Sequence, residues 1–258
     1  MKTITSRDNA QYKELLKLAG SSQARRKSGR TLLDGVHLCQ SYLQLRGMPE
    51  QCIVSESALQ NPEVADIVGQ LESQRAHVLG LPDALYNAVS QVEHGVGVMF
   101  LIETPERAVT QPLSVSAVLL DNLQDPGNVG SILRSASAFG FRQVAAIKGS
   151  AALWSPKVLR AGMGAHFALD LIEGLALDDL AALQVPLLVT SSHAGDFLHR
   201  AALPWPCAWV MGHEGQGVSP ALEDRAALRI RIAQPGGEES LNVAAAAAIC
   251  LHASGAGR

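Results

Sequence analysis

The stretch PGGEESLNVAAAAAI, residues 235–249, decides more about the fold than any other in this 258-residue chain. A glycine-rich turn runs through Ser240, Leu241 and Asn242 directly into an alanine-rich helix. Gly236 and Gly237 permit positive φ or close approach of a ligand to the backbone, and Ser240 and Asn242 are both good N-cap residues. The helix N-terminus therefore faces whatever the turn holds. Working outward, two more glycine-punctuated patches follow short apolar, strand-like runs: DNLQDPGNVGSILRSASAFGF at 121–141 and VMGHEGQGVS at 210–219. Three such strand-to-loop transitions are expected to converge on one pocket.

The surrounding pattern supplies the architecture. From Ala117 onward strands alternate with helices: AVLLD, a helix over 129–139, QVAAI, a helix over 156–163, PLLVTSS, CAWVMG, ALRIRI and the final alanine-rich helix. That alternation predicts parallel strands with crossover helices, and the near-continuous apolar runs fit strands buried on both faces. An open parallel α/β sheet of Rossmann type is the default expectation, yet no GxGxxG is present. The first part reads as a small α/β domain over 1–104. A helix is expected over 6–18 behind Ser6 and Asp8, strands at TLLDG, CIVS, HVLGLP and GVMFLIET, and helices over 37–45, 61–74 and 83–92. TPERAVTQPLSVS, rich in proline and polar residues, marks a linker over 105–116 before a second domain over 117–258.

Composition narrows the class. Hydrophobic residues make up 47% and charged residues 17%, as in ordinary globular proteins. No apolar run is long enough for a membrane span and MKTITSRDNAQYK has no signal-peptide core, so a cytoplasmic protein is expected. Cys39, Cys52, Cys207 and Cys250 form no CxxC pair and read as buried thiols, and the eight histidines show no HExxH, so no metal is expected. The net charge of -3 conceals an asymmetry: residues 1–30 hold eight basic and two acidic groups, +6, leaving -9 for the rest. Such an arm is either a phosphate-binding footprint or a solvated basic helix face.

In order and spacing the three patches resemble the motifs of the SpoU/TrmH family of RNA ribose 2'-O-methyltransferases, in the knotted SPOUT superfamily. Asn128, Gly130 and Arg134 match the first motif, Gly212, Glu214 and Gly217 the second, and Ser240, Leu241 and Asn242 the third. ITSRDNAQYKELLKL, the basic run and LLDGVHL are similar to the ribosomal-protein-like RNA-binding domain attached to many members, with Asp34 where glutamate is usual. The resemblance implies a C-terminal parallel-sheet domain tied in a deep trefoil knot, an exception to the rule against knots. It also implies S-adenosylmethionine as cofactor, RNA as substrate with ribosomal RNA ahead of tRNA, and a homodimer packed through the knot.

By similarity Thr190, Gly212, Ile232 and Leu241, with Ala194 and Gly195, contact the cofactor, chiefly through backbone groups. Arg134 stands alone on a small, apolar helix and either activates the 2'-hydroxyl, clamps the adjacent phosphate bidentately or forms a salt bridge to the sheet. A guanidinium is almost always protonated, which weighs against its acting as a base. Glu214 orients Arg134, holds Asn128 and the substrate, or is a solvated loop acid. Asn128 and Asn242 both donate and accept, fixing loop geometry or the ribose, while Ser240 caps the helix or meets substrate phosphate. Arg25, Arg26, Lys27 and Arg30 are candidates for RNA contact, and Arg160 for RNA contact or a structural role. Ala233 and Gln234 replace the usual Pro-Met pair, and Ala244 replaces a common serine; none of these removes a group assigned to chemistry. The rival readings are a catalytically silent module that holds RNA or S-adenosylmethionine, and a nucleotide-dependent doubly wound enzyme, which lacks its phosphate-binding motifs here.

Overall fold

A computed structural model describes residues 1–92, 95–105, 114–191, 194–237 and 240–256. The expected linker over 105–116 falls largely outside them. The chain forms two compact units, one of Met1–Glu106 with Trp154–Phe167, the other of Arg107–Leu153 with Ala168–Arg258.

The first unit opens with β1 (Lys2–Thr3), α1 (Ala10–Gly20) and α2 (Ser22–Ser28). Asn9 caps α1 by accepting from the backbone N–H groups of Gln11 and Tyr12, in place of the Ser6 and Asp8 that the sequence suggests. Next come β2 (Arg30–Asp34), α3 (Val36–Leu45), β3 (Gln51–Ser55), α4 (Pro62–Ser73), β4 (Val78–Leu81), α5 (Asp83–Val89) and β5 (Val98–Glu103). The sheet is mixed, in the order β1-β4-β3-β5-β2, with β5 antiparallel to both its neighbours. Tyr12, Leu15 and Leu18 recur at helical spacing and seat α1 on Ile53, Leu79 and Met99. Full burial of each such side chain stabilises by roughly 1.5–3 kcal/mol, which holds a helix too short to persist alone.

The second unit contains β6 (Ala117–Leu120), α6 (Pro126–Ala138) and β7 (Gln143–Ile147). α7 (Pro156–Gly162) follows in the chain but packs within the first unit. There the buried Thr31 hydroxyl donates to the Trp154 carbonyl at 2.9 Å, and Tyr42 meets Phe167 edge to face. The sequence reading puts residues 154–167 in the span 117–258; in the structure they pack within the first unit, against β2 and α3. The second unit continues with β8 (Asp170–Leu175), β9 (Leu187–Thr190), β10 (Asp196–Phe197), β11 (Ala208–Met211), α8 (Pro220–Glu223), β12 (Leu228–Arg231) and α9 (Val243–Gly255).

Its seven strands lie in the order β10-β12-β9-β11-β6-β7-β8, every pair parallel, as the alternating pattern predicts. AVLL of β6 and AWVM of β11 are buried on both faces. The chain steps outward through β6, β7 and β8, then crosses to β9 and β11 on the other side of β6. Parallel sheets bind ligands beyond the carboxyl ends of their strands, where the order reverses. The loops after β6, β9, β11 and β12 all leave that edge.

Candidate functional site

All three sequence patches meet at this edge. Asp125 caps α6, its Oδ1 accepting from the Asn128 N–H at 2.7 Å, with Pro126 in the first turn. Residues 212–217 form a tight hairpin in which His213 and Gly217 exchange backbone hydrogen bonds at 2.9 Å each. His213 Nδ1 accepts from the N–H groups of Gly215 and Gln216 at 3.0 and 3.3 Å, so the ring stiffens the tip. Gly212 is required by close approach: a Cβ there would lie 2.3 Å from the Gly217 carbonyl carbon. At the exit, the Ser219 N–H donates to buried Asp121 at 2.7 Å, fastening the hairpin to the end of β6.

A polar chain then joins three segments distant in sequence. The Glu214 carboxylate accepts from the Asp125 N–H at 3.1 Å, from Asn128 Nδ2 at 3.2 Å and, at the long limit of 3.5 Å, from the Gln124 N–H. Asn128 Oδ1 in turn accepts from Asn242 Nδ2 at 3.0 Å. Asn242 Oδ1 caps α9 by accepting from Ala244 and Ala245 N–H at 2.9 and 3.2 Å. Partial burial alone would raise the Glu214 pKa; hydrogen bonds from its own backbone, Asn128, Asp125 and Gln124 outweigh it and hold the group below the ordinary carboxylate value. Glu214 therefore bonds to Asn128 and, among the described residues, makes no ion pair with Arg134. Ser240 is exposed and does not cap α9; Asn242 does.

Arg134 is exposed on α6, with no hydrogen bond or ion pair among the described residues. It lies six residues beyond Asn128, about 9 Å along the axis and about 120° around it, and Glu214 forms no ion pair with it. Its guanidinium is available to an incoming group.

The residues expected at the cofactor leave adjacent strands. Thr190 ends β9 beside Ile230, Gly212 follows β11, and Ile232 follows β12. Gly195 has φ +103°, and a Cβ on it would fall 2.1 Å from the Arg229 carbonyl oxygen, so only glycine lets this segment lie on β12. Ala194 donates its N–H to Ser191 Oγ at 3.1 Å. Among the described residues, chain neighbours aside, no heavy atom lies within 4 Å of a Cβ built on Gly236 or Gly237, so the turn presents bare backbone, with exposed Leu241 close behind in sequence.

In the first unit the basic run separates into two kinds of side chain. Arg25 donates to the carbonyls of Leu18 and Ala19 at 2.6 and 3.2 Å, closing the end of α1, and burial lowers its pKa. Arg30 pairs with Glu14 and with Glu50, the latter at 2.9 Å. Both expected RNA contacts therefore already have structural partners, whereas Arg26 and Lys27 project from α2 into solvent. Arg160 is half-buried on α7, its Nη1 lacking a hydrogen-bond partner, near enough to oppose the burial that raises the Asp34 pKa. Asp34 accepts from Tyr86 and Ser90 hydroxyls at 3.2 and 2.6 Å.

Asp125, Asp121 and His213 were not among the sequence candidates. The Asp-Pro pair announcing a helix start signalled Asp125; Asp121 and His213 act on neighbours that only the fold brings near. All four cysteines are free and buried, and burial raises Cys52 and Cys250 to about 12. Among the described residues no His, Cys, Asp or Glu group is arranged to hold a metal, and no helix is long and apolar enough to cross a membrane.

Comparison with known proteins agrees with this geometry. The chain is 29% identical over 255 residues to the 23S rRNA (guanosine(2553)-2'-O)-methyltransferase RlmP of Bacillus subtilis, covering 98% of each. A crystal structure of an RNA 2'-O ribose methyltransferase superposes with a TM-score of 0.80 at 30% identity, over 98% of this chain and 97% of that one. The fold is shared with the SpoU methyltransferase AviRb of Streptomyces viridochromogenes, solved with AdoMet, at a TM-score of 0.85 and 21% identity, over 95% and 97% of the two chains. The model of the SpoU rRNA Methylase family matches residues 116–252, more than half of the chain, and the chain belongs to that family.

Proposed function

We propose that this protein transfers a methyl group from S-adenosylmethionine to a ribose 2'-hydroxyl of RNA, ribosomal RNA in the first instance. The observation that carries the reading is the Glu214–Asn128–Asn242 chain, which fixes three loops at one sheet edge, at the head of the helix that carries Arg134, a residue with no partner among the described residues. Membership of the SpoU family and the full-length likeness to an rRNA methyltransferase support it.

The loops leaving β9, β11 and β12 hold the cofactor, through Thr190, Ala194, Gly195, Gly212, Ile232 and Leu241. The fit rests on the donor set: free backbone groups and a turn at Gly236–Gly237 with room for a ligand suit adenine, ribose and an amino acid moiety. The cofactor supplies an electrophilic methyl group. The protein's contribution is positional, because transfer needs the acceptor oxygen about 3 Å from the methyl and in line. Arg134 binds the RNA phosphate beside the target ribose with its planar fork, orienting the hydroxyl while its proton passes to water. Asn128, bonded both to Glu214 and to Asn242, keeps the starts of α6 and α9 together, so Arg134 is presented at a fixed height above the cofactor loops.

In this reading residues 117–258, apart from 154–167, are the catalytic domain, knotted as in SPOUT proteins; membership of the SpoU family and the packing of α9 against α6 support this. Residues 1–104 form the RNA-binding domain, with Arg26 and Lys27 at its solvent-facing phosphate contacts and affinity that falls with salt. The protein works as a cytoplasmic homodimer. α9 is apolar nearly all round but buries only Ala247, Cys250, Leu251 and Ser254, leaving Ile249 42% exposed. Its open side lines a groove of about 600 Å³ with Phe139, Leu198, Ile232 and Ala248, a surface suited to a second copy.

The test is transfer of labelled methyl to total RNA from cells lacking the protein, with the label located by nuclease digestion. Ribose-linked label in ribosomal RNA is expected. Label in tRNA alone would redirect the substrate, and cofactor binding without transfer would make the protein a silent binding module.

A further inference from the structure

We infer that Arg231 and Phe197 form a clasp that positions the two walls of the cofactor site against each other. The inference rests on the cofactor assignment made above. Segment 194–198 reaches the sheet only at its outermost edge, where the two-residue β10 pairs with β12, Asp196 opposite Ile230 and Phe197 opposite Arg231. The Ser191 N–H donates to the Ile230 carbonyl at 3.0 Å, and the Leu198 N–H to the Arg231 carbonyl at 2.8 Å. So short a strand is a weak anchor. Across it the Arg231 guanidinium carbon stands 4.3 Å from the Phe197 ring centroid, within cation–π range. Arg231 Nε is buried with no hydrogen-bond acceptor, and among the described residues the guanidinium has no carboxylate partner. An arginine half-withdrawn from water, with no hydrogen-bond acceptor for its buried Nε and no carboxylate among the described residues, is held there by that ring.

The location gives the clasp its role. Phe197 is two residues beyond Gly195, and Arg231 immediately precedes Ile232. The stack thus ties the loop after β9 to the loop after β12 at the point where each turns toward the cofactor. Arg231 is a positioning residue: it reaches the reaction only through the backbone it holds.

Binding of S-adenosylmethionine without RNA, measured by calorimetry, tests the inference together with steady-state kinetics. Arg231→Met and Phe197→Leu are each expected to weaken binding and raise KM for the cofactor about tenfold, the range of a partly desolvated cation–π pair. The two together should lose little more than either alone, because one contact is removed in all three. Saturating cofactor restores most of kcat, Arg231→Lys falls between wild type and Arg231→Met, and Phe197→Tyr, which keeps the ring, binds as wild type does. Wild-type affinity in Arg231→Met and Phe197→Leu overturns the clasp, as does equal damage by Phe197→Tyr. A wild-type protein that fails to bind S-adenosylmethionine instead overturns the cofactor assignment on which the clasp rests.

Discussion

The two ends of α6 differ sharply. At its start Asn128 is held on three sides, by the Asp125 cap, by Glu214 from the hairpin after β11, and by Asn242 at the head of α9. Farther along the same helix Arg134 is exposed and has no partner among the described residues. The contrast separates scaffold from reagent. In the proposed function, the groups that must be in place before substrate arrives are paired within the protein, and the group proposed to meet the substrate has no partner among the described residues, on a helix whose start is tied to two other loops.

Breaking the free end should cost the most. Arg134→Ala is expected to lower kcat about 10²–10⁴-fold, the scale of a lost positioning or proton-transfer group, with cofactor affinity intact by calorimetry. Arg134→Lys should remain impaired, because an ammonium cannot offer the two parallel donors of a guanidinium. Recovery of near-wild-type kcat by lysine would reduce the role of Arg134 to charge alone.

Breaking the held end should cost less and spread wider. Glu214→Ala leaves the Asp125 N–H and Asn128 Nδ2 without their acceptor, so kcat and cofactor affinity should fall together, each about tenfold, the equivalent of roughly 1.4 kcal/mol. Asn242→Asp sharpens the comparison, since it keeps an oxygen to cap α9 but cannot donate to Asn128. Thermal unfolding should show a small change, while kinetics resemble a mild version of Glu214→Ala. The pH dependence has a definite sign. A carboxylate whose folded pKa is depressed contributes stability above its unfolded pKa and loses it as pH falls through the folded one. The Glu214 contribution is therefore complete above the ordinary glutamate value and is lost as pH falls from there through the lower folded value, and Glu214→Gln should flatten that acid limb in a titration of cofactor binding.

The smallest effect belongs to the N-terminal unit. Arg26→Ala with Lys27→Ala should weaken RNA binding several-fold and reduce the salt slope by about two. Arg25→Ala should instead lower the unfolding temperature, because its donors close the end of α1.

The long elements, and the three patches that meet at one sheet edge, were legible because each carried its own signal. Apolar runs fixed the central strands, Pro156 marked a helix start, and three glycine-punctuated patches identified the loops; the first helix was expected from Val129 and begins at Pro126. What escaped depended on partners remote in sequence. β10 is two residues long and exists only through its register with β12. β8, interrupted by Glu173 and Gly174, shows no apolar run, yet pairs with β7. Arg25 and Arg30 looked like their neighbours Arg26 and Lys27 until the fold brought carbonyls to one and Glu14 and Glu50 to the other. Glu214 and Asn128 were both recognised, but the bond between them joins residues 86 positions apart.

The most direct test measures methyl transfer from S-adenosylmethionine to ribosomal RNA by wild type and Arg134→Ala, with cofactor binding measured on the same preparations. The account predicts ribose-linked label with wild type, its near disappearance in the variant, and equal cofactor affinity in both. Undiminished transfer by Arg134→Ala, or a loss fully explained by weaker cofactor binding, would contradict it.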